Sequence, residues 1–252
     1  MDQSVVPGLY YVEGLDGVGK DTIGAALARK RNALIGKLAL CDGNPWNVDK
    51  SGYVSSNHPL FPVYMLQMVI WDILHFEQKE NRVQISLAGV RSAAWQLARS
   101  EPLAPLYVEV IKNYPVFNHA ILLKASLAEK RKRLLERERT TGSISSIDKL
   151  VFTEPQFVES MDSILIDIMR EYFGATVIDT DNLNIDEVEA IALKSFPENS
   201  GGRSTTEFLH SKISQDRLGY IQGELLKQVE DMFRRRVISD GERIEVRKTF
   251  EL

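Results

Sequence analysis

Two glycines and a lysine follow an apolar segment near the amino terminus, in the spacing Gly14-x-x-x-x-Gly19-Lys20. Glycine adopts backbone conformations that let amide N–H groups approach an anion closely. A helix is expected from Asp21 to about Asn32. Its positive amino-terminal end would face the same anion, which the Lys20 ammonium could also reach. The pattern predicts a loop that binds the phosphates of a nucleoside triphosphate, formed by Gly14, Leu15, Asp16, Gly17, Val18, Gly19, Lys20, Asp21 and Thr22.

The residue after the lysine departs from the usual pattern, in which a Ser or Thr hydroxyl contacts magnesium. Asp21 stands at that position, and Thr22 follows one place later. A carboxylate is a hard oxygen ligand that suits Mg2+, but it repels phosphate unless the metal lies between them. Asp21 and Thr22 are therefore the candidate magnesium ligands. The alternative is that Asp21 only interacts favourably with the helix dipole.

Composition and charge limit the class of molecule. The 252 residues are 44% hydrophobic and 26% charged, which is enough for one large core. A net charge of −4 gives no strong nucleic-acid signal. Cys41 is the single cysteine, so no intramolecular disulfide can form and a cytoplasmic location is expected. Neither a secretion signal nor an apolar run of ~18 residues is visible, so no membrane association is expected.

Short apolar segments recur along the first 196 residues, and helical patterns separate them. Strands are expected at residues 8–12, 37–41, 82–86, 119–123 and 175–179. Strands that alternate with helices favour a parallel sheet covered on both faces. The sequence therefore predicts an α/β fold with a parallel sheet of about five strands and helices on both faces.

Helices are expected between these strands, at about 62–78, 90–99, 127–139, 153–172 and 184–195. Pro102 and Pro105 should interrupt the second helix. Thr153 is the expected N-cap of the fourth, and Asn184 with Glu187 should form a capping box at the start of the fifth. The polar segment 140–146 is too rich in Ser, Thr and Gly to belong to a core.

The composition changes at residues 197–206, where Pro, Ser, Gly and Thr indicate a linker. We expect a main domain at 1–196 and a linker with a C-terminal extension at 197–252. In the extension, an apolar helical stripe is predicted from Leu218, Ile221, Leu225, Val229 and Met232. The main domain is the preferred cover for this stripe, and a second copy or a foreign partner are the alternatives. Residues 243–250 alternate like an edge strand.

These features resemble the thymidylate kinase branch of the nucleoside monophosphate kinases, over about residues 8–195. The best local match is Val12-Glu-Gly-Leu-Asp-Gly-Val-Gly-Lys20. The ending Lys20-Asp21-Thr22 is similar to that of some phage-type deoxynucleotide kinases. Residues 120–139 are similar to the family's strand, helix and mobile lid, which is expected here around 137–150. The resemblance implies a P-loop nucleotide-kinase fold and magnesium-dependent phosphoryl transfer from ATP to a nucleotide.

The resemblance also implies catalytic roles for side chains of the loop and the lid. Lys20 would hold the transferred phosphate. Asp16 would contact the acceptor or metal-bound water, with simple turn chemistry as its alternative. Relatives carry an arginine either in the first loop or in the lid. Because Gly17 occupies the loop position here, Arg137 and Arg139 become the catalytic candidates.

Two further residues are substrate candidates by the same resemblance. Arg133 is a candidate second phosphate contact, and Glu13 ends a strand that points toward the site. For the arginines of this segment, the alternative is a solvated helix face, because residues 130–139 are rich in charge throughout.

The chain departs from the family's pattern in two places. Relatives carry an acidic residue and a phosphate-binding arginine after the third strand, where this chain has Ile85-Ser-Leu-Ala-Gly89. Arg91 is the candidate replacement, and an exposed helix residue is the alternative. Asp72 stands where relatives place an arginine against the thymine carbonyl. Because an ionised carboxylate only accepts hydrogen bonds, the expected acceptor is a (deoxy)nucleoside monophosphate or a modified nucleotide rather than ordinary thymidylate.

The leading hypothesis is therefore an ATP-dependent nucleotide kinase that requires magnesium. The second hypothesis is a nucleotide-binding protein that has lost transferase activity and serves as a regulatory or assembly subunit. The missing acidic and arginine pair favours that second reading. A GTPase would need an Asn-Lys-x-Asp motif, and a serine hydrolase would need a Gly-x-Ser-x-Gly elbow; the sequence has neither. Relatives commonly pair, so a homodimer is an expected option.

Overall fold

The computed structural model describes residues 8–46, 58–196 and 214–249. Its strands form one sheet in which every pairing is parallel. In chain order they are β1 (Leu9–Glu13), β2 (Leu34–Leu38), β3 (Arg82–Leu87), β4 (His119–Lys124) and β5 (Thr176–Asp179). The order across the sheet is β2-β3-β1-β4-β5, so β1 lies in the middle. The predicted α/β architecture and the number of strands are confirmed within the described residues.

Ten helices flank this sheet in the described part of the chain. They are α1 (Lys20–Arg31), α2 (Phe61–His75), α3 (Ala88–Ala98), α4 (Ala104–Ile111), α5 (Leu127–Thr141), α6 (Ser146–Thr153), α7 (Pro155–Phe173), α8 (Ile185–Ser195), α9 (Gln215–Arg234) and α10 (Asp240–Thr249). Asn184 and Glu187 form the predicted capping box of α8.

Alternating side chains of β1 supply both sides of the core. Tyr10 and Val12 face a smaller cluster with α1 and α8, whereas Leu9 and Tyr11 face the larger cluster with α2, α3, α4 and α7. All five residues of β1 are buried. A central parallel strand covered on both faces is expected to be mostly apolar, and this explains the apolar and aromatic residues at positions 9–12. The exception is Glu13 at the carboxyl end of β1, whose buried carboxylate accepts hydrogen bonds from the protein.

The second strand lies three residues earlier than predicted. It spans Leu34–Leu38 rather than 37–41. Leu38 has a left-handed backbone with φ of 64°, which ends the extended segment. The amides of Leu40 and Cys41 then donate to the Asp72 carboxylate instead of to a neighbouring strand. The prediction was wrong because a distant carboxylate, invisible in the local pattern, takes the hydrogen bonds that a strand would need.

Two helices were missing from the predicted series. Pro105 lies at the start of α4, where its absent N–H costs nothing, so proline there starts a helix as well as ending the previous one. The second is α6, whose capping box joins Ser145 and Asp148. Thr153 is consequently the last residue of α6, and the prediction that it caps the following helix was wrong. Glu154 precedes α7 and makes no side-chain cap bond.

The carboxyl-terminal segment forms a helix, not the predicted edge strand. Ser239 and Glu242 exchange capping hydrogen bonds at its start: the Glu242 amide donates to Ser239 Oγ, and the Ser239 amide donates to Glu242 Oε2. Among residues 240–248 of α10, Val246 alone is buried, and Ile244 is 43% exposed. The alternation of apolar and polar residues at 243–250 therefore did not indicate a strand. The capping hydrogen bonds of Ser239 and Glu242 favour the start of a helix at this point.

The stripe of α9 packs against the main domain, as preferred from the sequence. Leu218, Ile221, Leu225 and Val229 are buried in the larger core cluster. At the amino-terminal end of α9, Arg217 donates to the Glu109 carboxylate of α4, with N–O distances of 2.9 and 2.7 Å. The predicted linker at 197–206 lies outside the described residues. In the part of the chain that the structure describes, no helix combines the length and apolar character that crossing a bilayer requires.

Replacing Leu225 by alanine should lower the free energy of unfolding by ~2–5 kcal/mol, because this side chain is fully buried between α9 and the main domain. Urea denaturation would measure the loss. Ile244→Ala is the matched control, since it removes a partly exposed aliphatic side chain from the same extension and should cost well under half as much. An unchanged urea midpoint in Leu225→Ala would show that the extension does not stabilise the main domain.

Candidate functional site

The glycine loop, residues 14–19, joins the carboxyl end of β1 to α1. From β1 the chain turns toward β2, whereas from the neighbouring β4 it turns the opposite way toward β5. In open α/β sheets, ligands bind outside the carboxyl ends of the strands at such a switch point. The topology therefore places the glycine loop where a ligand crevice is expected.

Glycine is required at two positions of this loop. Gly14 has φ of 153°, and a Cβ there would lie 2.5 Å from the carbonyl oxygen of Leu123 in β4. Gly17 has φ of 86°, a left-handed value that strains other residues. A Cβ on Gly17 would also lie 3.4 Å from the carbonyl oxygen of Lys130. The loop thus fits closely between β4 and α5, and α1 begins directly behind it at Lys20.

Three charged side chains of the predicted site meet at Asp16. Lys20 Nζ lies 2.8 Å from Asp16 Oδ1, and Arg91 Nη2 lies 2.8 Å from Asp16 Oδ2. The Lys20 side chain is only 6% exposed. Burial raises the pKa of the Asp16 carboxyl, but the charges of Arg91 and Lys20 outweigh burial and hold this pKa well below its ordinary value. The ionised Asp16 carboxylate therefore lies between two cationic side chains, each 2.8 Å away.

Glu13 is fully buried at the end of β1, and its carboxylate is surrounded by donors. It accepts hydrogen bonds from Tyr11 Oη, Ser86 Oγ and the amides of Gly14 and Leu87. Ser86 has a left-handed backbone with φ of 56°, which is uncommon for a residue other than glycine. Sequence reasoning did not single out Ser86, although it lies in the segment where the family's motif is missing. The substrate role of Glu13 remains a prediction.

The predicted magnesium ligands lie at the amino-terminal end of α1. Asp21 is 57% exposed and pairs with Lys37 Nζ at 2.9 Å, and Thr22 is exposed beside it. Among the described residues, no group of three or more His, Cys, Asp or Glu side chains could hold a metal ion. Mg2+ in kinase sites uses one or two carboxylates together with substrate phosphates and water. The exposed oxygen donors of Asp21 and Thr22 fit that kind of site, and their role remains a prediction.

Arg133 contacts the glycine loop from the side of α5. Its Nη1 lies 3.4 Å from the Gly17 carbonyl oxygen and 3.5 Å from that of Val18. The same guanidinium donates to Thr180 Oγ1 at 2.9 Å and to the Thr180 carbonyl oxygen at 2.7 Å. Thr180 follows β5 and was not recognised from the sequence, because nothing in its local pattern sets it apart from other turn residues.

The two arginines of the predicted lid, Arg137 and Arg139, pair with carboxylates of α6 and α5. Arg137 Nη2 donates to Asp148 Oδ2, which also accepts from the Ser145 amide and hydroxyl in the turn between α5 and α6. The Arg139 side chain is 78% exposed, and its Nη1 lies 3.6 Å from Glu136 Oε2. The structure does not bring either arginine to the glycine loop through a hydrogen bond among the described residues. Their catalytic roles remain predictions.

Asp72 of α2 is a buried carboxylate that holds the segment after β2. It accepts from the Leu40 amide at 2.7 Å, the Cys41 amide at 3.0 Å and Asn44 Nδ2 at 2.8 Å. Burial raises the pKa of Asp72, although these hydrogen bonds oppose the increase. The carboxylate thus has protein partners in the positions where an acceptor hydroxyl or amino group was expected to bind. Its contact with an acceptor remains a prediction.

No protein-family model matches the chain, and no curated protein matches it. Solved structures do resemble it. A deoxyadenosine kinase from M. mycoides with bound dATP has a TM-score of 0.50 and 16% identity, covering 74% of this chain and 97% of its own. The thymidylate kinase from Candida albicans has a TM-score of 0.52 and 17% identity, with 75% and 90% covered. That of Ehrlichia chaffeensis has a TM-score of 0.52 and 13% identity, with 76% and 100% covered.

These likenesses confirm that the fold is the P-loop fold of nucleoside and nucleotide kinases, as the resemblance to the thymidylate kinase branch implied. The matched part spans about three quarters of this chain and nearly the whole of each kinase. At identities of 13–17% the likeness establishes the fold, and the activity is argued from the site itself.

Replacing Arg91 by glutamine should raise the pKa of Asp16 toward the ordinary aspartate value of about 3.9, because one of its two cationic partners is lost. A carbon-13 NMR titration of the Asp16 carboxyl would measure it. Arg99→Gln removes an arginine that pairs with Glu154 instead and should leave this pKa unchanged.

The lowered pKa of Asp16 makes the free energy of unfolding depend on pH. Since the pKa of Asp16 is lowered in the folded state, its ion pairs stabilise the fold above the ordinary aspartate pKa. That contribution is lost as the pH falls through the lowered value. An Asp16 titration that is identical in the wild-type protein and Arg91→Gln would contradict the ion cluster.

Proposed function

We propose that this chain is a kinase that transfers the terminal phosphoryl group of ATP to a nucleotide acceptor in a magnesium-dependent reaction. One observation carries the proposal. Lys20 and Arg91 converge on a single carboxylate beside a loop whose glycines fit between β4 and α5, in a fold shared with nucleotide kinases. A cluster of cations next to the backbone amides of a glycine loop suits polyphosphate, because phosphoryl transfer requires positioning and charge neutralisation more than covalent chemistry.

In the proposed reaction, an oxygen of the acceptor attacks the γ-phosphorus of ATP. The bond from that phosphorus to the bridging oxygen breaks, and ADP leaves with the electron pair. Lys20 would exchange its partner Asp16 for the transferred phosphate, while Arg91 would hold the acceptor's own phosphate. Asp16 would then be released to contact the acceptor sugar or metal-bound water. Both cations lie on the same carboxylate, which supports a short distance between donor and acceptor phosphates.

Magnesium would neutralise charge on the phosphates when it is bound. The residues that would hold it are Asp21 and Thr22, which lie exposed at the end of the glycine loop. Asp21 now pairs with Lys37 on β2, a surface contact between two side chains that are each more than half exposed. Such an exposed pair is worth little free energy, so Asp21 can turn toward a metal ion at small cost.

The finer proposal is that the acceptor is a (deoxy)nucleoside monophosphate or a modified nucleotide rather than ordinary thymidylate. The arginine that would face a thymine carbonyl is replaced by Asp72, which is buried and bonded to residues 40–44. With a buried carboxylate at that place, no arginine is available there to donate a hydrogen bond to the base. The same carboxylate also holds the segment after β2 through its hydrogen bonds. This change supports a differently shaped acceptor pocket.

An alternative function, a catalytically lapsed nucleotide-binding regulatory or assembly protein, is favoured by one observation. Ser86 and Leu87 occupy the end of β3, where relatives carry an acidic residue and an arginine. The Ser86 hydroxyl and the Leu87 amide donate to the Glu13 carboxylate, so these groups form hydrogen bonds within the protein. The two functions differ in turnover, not in ATP binding.

Incubating the protein with ATP, Mg2+ and a panel of nucleosides and nucleoside monophosphates should yield ADP and a phosphorylated product with at least one acceptor. Lys20→Ala should lower kcat/KM by at least about 100-fold, because a buried cation that stabilises the transferred phosphate is removed. Lys132→Ala, which alters a lysine that is 77% exposed on α5, should retain activity. ATP binding without turnover of any acceptor would favour the regulatory alternative. Thymidylate as clearly the best acceptor would contradict the finer proposal.

Replacing Arg91 by glutamine should raise the KM for the acceptor nucleotide roughly tenfold or more, through the loss of a charge-assisted hydrogen bond to its phosphate. The KM for ATP should change much less. Steady-state kinetics with each substrate varied in turn would separate the two effects. An equal rise in both KM values would argue that Arg91 acts on the glycine loop as a whole and not on the acceptor.

A further inference from the structure

We propose that Arg133 is a positioning residue, which fixes the direction of the glycine-loop amides by binding the opposite ends of their peptide groups. The inference rests on the proposed function, because it concerns how that loop receives phosphates. The carrying observation is that Arg133 Nη1 lies 3.4 Å from the Gly17 carbonyl oxygen and 3.5 Å from that of Val18, which are long contacts shared by one nitrogen.

Peptide geometry connects these carbonyl contacts to phosphate binding. In a trans peptide the C=O bond and the N–H bond of the next residue point in opposite directions within one rigid plane, and the described residues contain no cis peptide bond. A carbonyl of Gly17 that is held toward Arg133 therefore turns the Val18 amide away from it. The Val18 carbonyl turns the Gly19 amide away in the same manner. The guanidinium thus sets two amide donors toward the side of the loop on which an anion can bind.

The guanidinium is itself fixed on three sides. Its Nε donates to Glu129 Oε1 at 2.9 Å, one turn earlier in α5. Its other end binds the hydroxyl and the carbonyl of Thr180, which is 1% exposed. Thr180 is in turn anchored to the Lys124 carbonyl oxygen through its amide at 2.9 Å and its hydroxyl at 3.0 Å. Arg133 therefore connects the glycine loop to the ends of β4 and β5.

The helix that carries Arg133 is also held firmly against the loop. Lys130 lies one turn before Arg133 and is 0% exposed, and its ammonium pairs with Asp162 of α7. A Cβ on Gly17 would lie only 3.4 Å from the carbonyl oxygen of Lys130. The α5 backbone at Lys130 therefore lies about one Cβ contact away from Gly17. The Lys130–Asp162 ion pair joins α5 to α7, which favours a fixed position of the Arg133 guanidinium beside the loop.

Direct contact between Arg133 and a phosphate would disturb this arrangement. A guanidinium has five N–H donors. One is at Nε and binds Glu129, the two at Nη1 face the loop carbonyls and Thr180 Oγ1, and one of the two at Nη2 binds the Thr180 carbonyl oxygen. Turning the group toward a phosphate would leave those carbonyls without this partner. The contacts therefore favour an action through the loop over an action on the substrate.

The test measures the loop before and during phosphate binding in the full-length protein. In Arg133→Gln without ligand, nitrogen-15 order parameters of the Val18 and Gly19 amides should fall from about 0.85 toward 0.6 or below. The Kd for inorganic tripolyphosphate and the Kd for ATP should rise by the same factor, roughly tenfold, because the loss acts on the phosphate-binding loop alone. Lys132→Gln, with the same charge change on the same helix, should alter none of these values.

A second pair of variants keeps the test independent of any folding defect in Arg133→Gln. Thr180→Val removes the hydroxyl that holds the guanidinium and should also weaken tripolyphosphate binding, although in a smaller measure. Thr180→Ser keeps the hydroxyl and should bind as the wild-type protein does. Far-UV circular dichroism would confirm that each variant is folded.

Three outcomes would overturn the proposal. Unchanged order parameters with weaker tripolyphosphate binding would make Arg133 a direct phosphate contact. Weaker ATP binding with normal tripolyphosphate binding would make it a contact to the nucleoside. Variants that match the wild-type protein in every measurement would leave Arg133 without a role in the loop. If the wild-type protein binds neither tripolyphosphate nor ATP, the proposed kinase function itself fails, which is a distinct result.

Discussion

The close fit of the glycine loop between β4 and α5 is the constraint on which the site depends. Gly14 lies against the carbonyl oxygen of Leu123, and Gly17 lies against that of Lys130. A Cβ at Gly14 would clash with that carbonyl at 2.5 Å, whereas at Gly17 the left-handed backbone with φ of 86° is what disfavours a side chain. The loop can therefore adopt little besides the observed path, and this path starts α1 at Lys20. The placement of Lys20, Asp16 and the loop amides follows from packing before any ligand is considered.

This packing also explains why the loop carries no arginine. A side chain at Gly17 would be strained by the left-handed backbone, and its Cβ would lie 3.4 Å from the carbonyl oxygen of Lys130 in α5. The positive charge near the loop comes from elsewhere, from Arg91 of α3 on one side and Arg133 of α5 on the other. The first pairs with a carboxylate and the second with carbonyl oxygens. Two arginines at one loop thus have different chemical surroundings and different proposed roles.

Two buried carboxylates, at the end of β1 and beside the segment after β2, accept their hydrogen bonds from the protein itself. Glu13 takes its donors from Tyr11, Gly14, Ser86 and Leu87, and Asp72 takes its donors from the segment after β2. An unpaired buried charge is costly, so these hydrogen bonds are needed for the fold whether or not a substrate binds. They give the ends of β1 and β3 a fixed shape that differs from the pattern of the thymidylate kinase branch. A distinct acceptor is the functional proposal that agrees with this difference.

The sequence by itself determined the features that short windows encode. The glycine spacing located the loop, alternating apolar segments gave the α/β class and most strands, and Asn184 with Glu187 gave a helix start. Errors arose where a local pattern had two readings. The alternation at 243–250 suited a strand or a helix, and the Ser239 and Glu242 cap decided for α10. The second strand was misplaced because its competing partner, Asp72, lies more than thirty residues away.

Only the tertiary structure decided which charges meet. Asp16 and Arg91 are 75 positions apart, and Arg133 is 116 positions from the Gly17 carbonyl that it approaches. Both arginines were named from the sequence as candidate phosphate contacts. Their protein partners were not predicted, because the sequence of a helix shows where a charge lies along the chain but not which distant residue it meets. The partner depends on how strands and helices pack, and that packing results from the whole core together. Residue type and spacing therefore predicted a phosphate-binding loop and its position in the chain, whereas the side chains that surround the loop could be identified only from the complete fold.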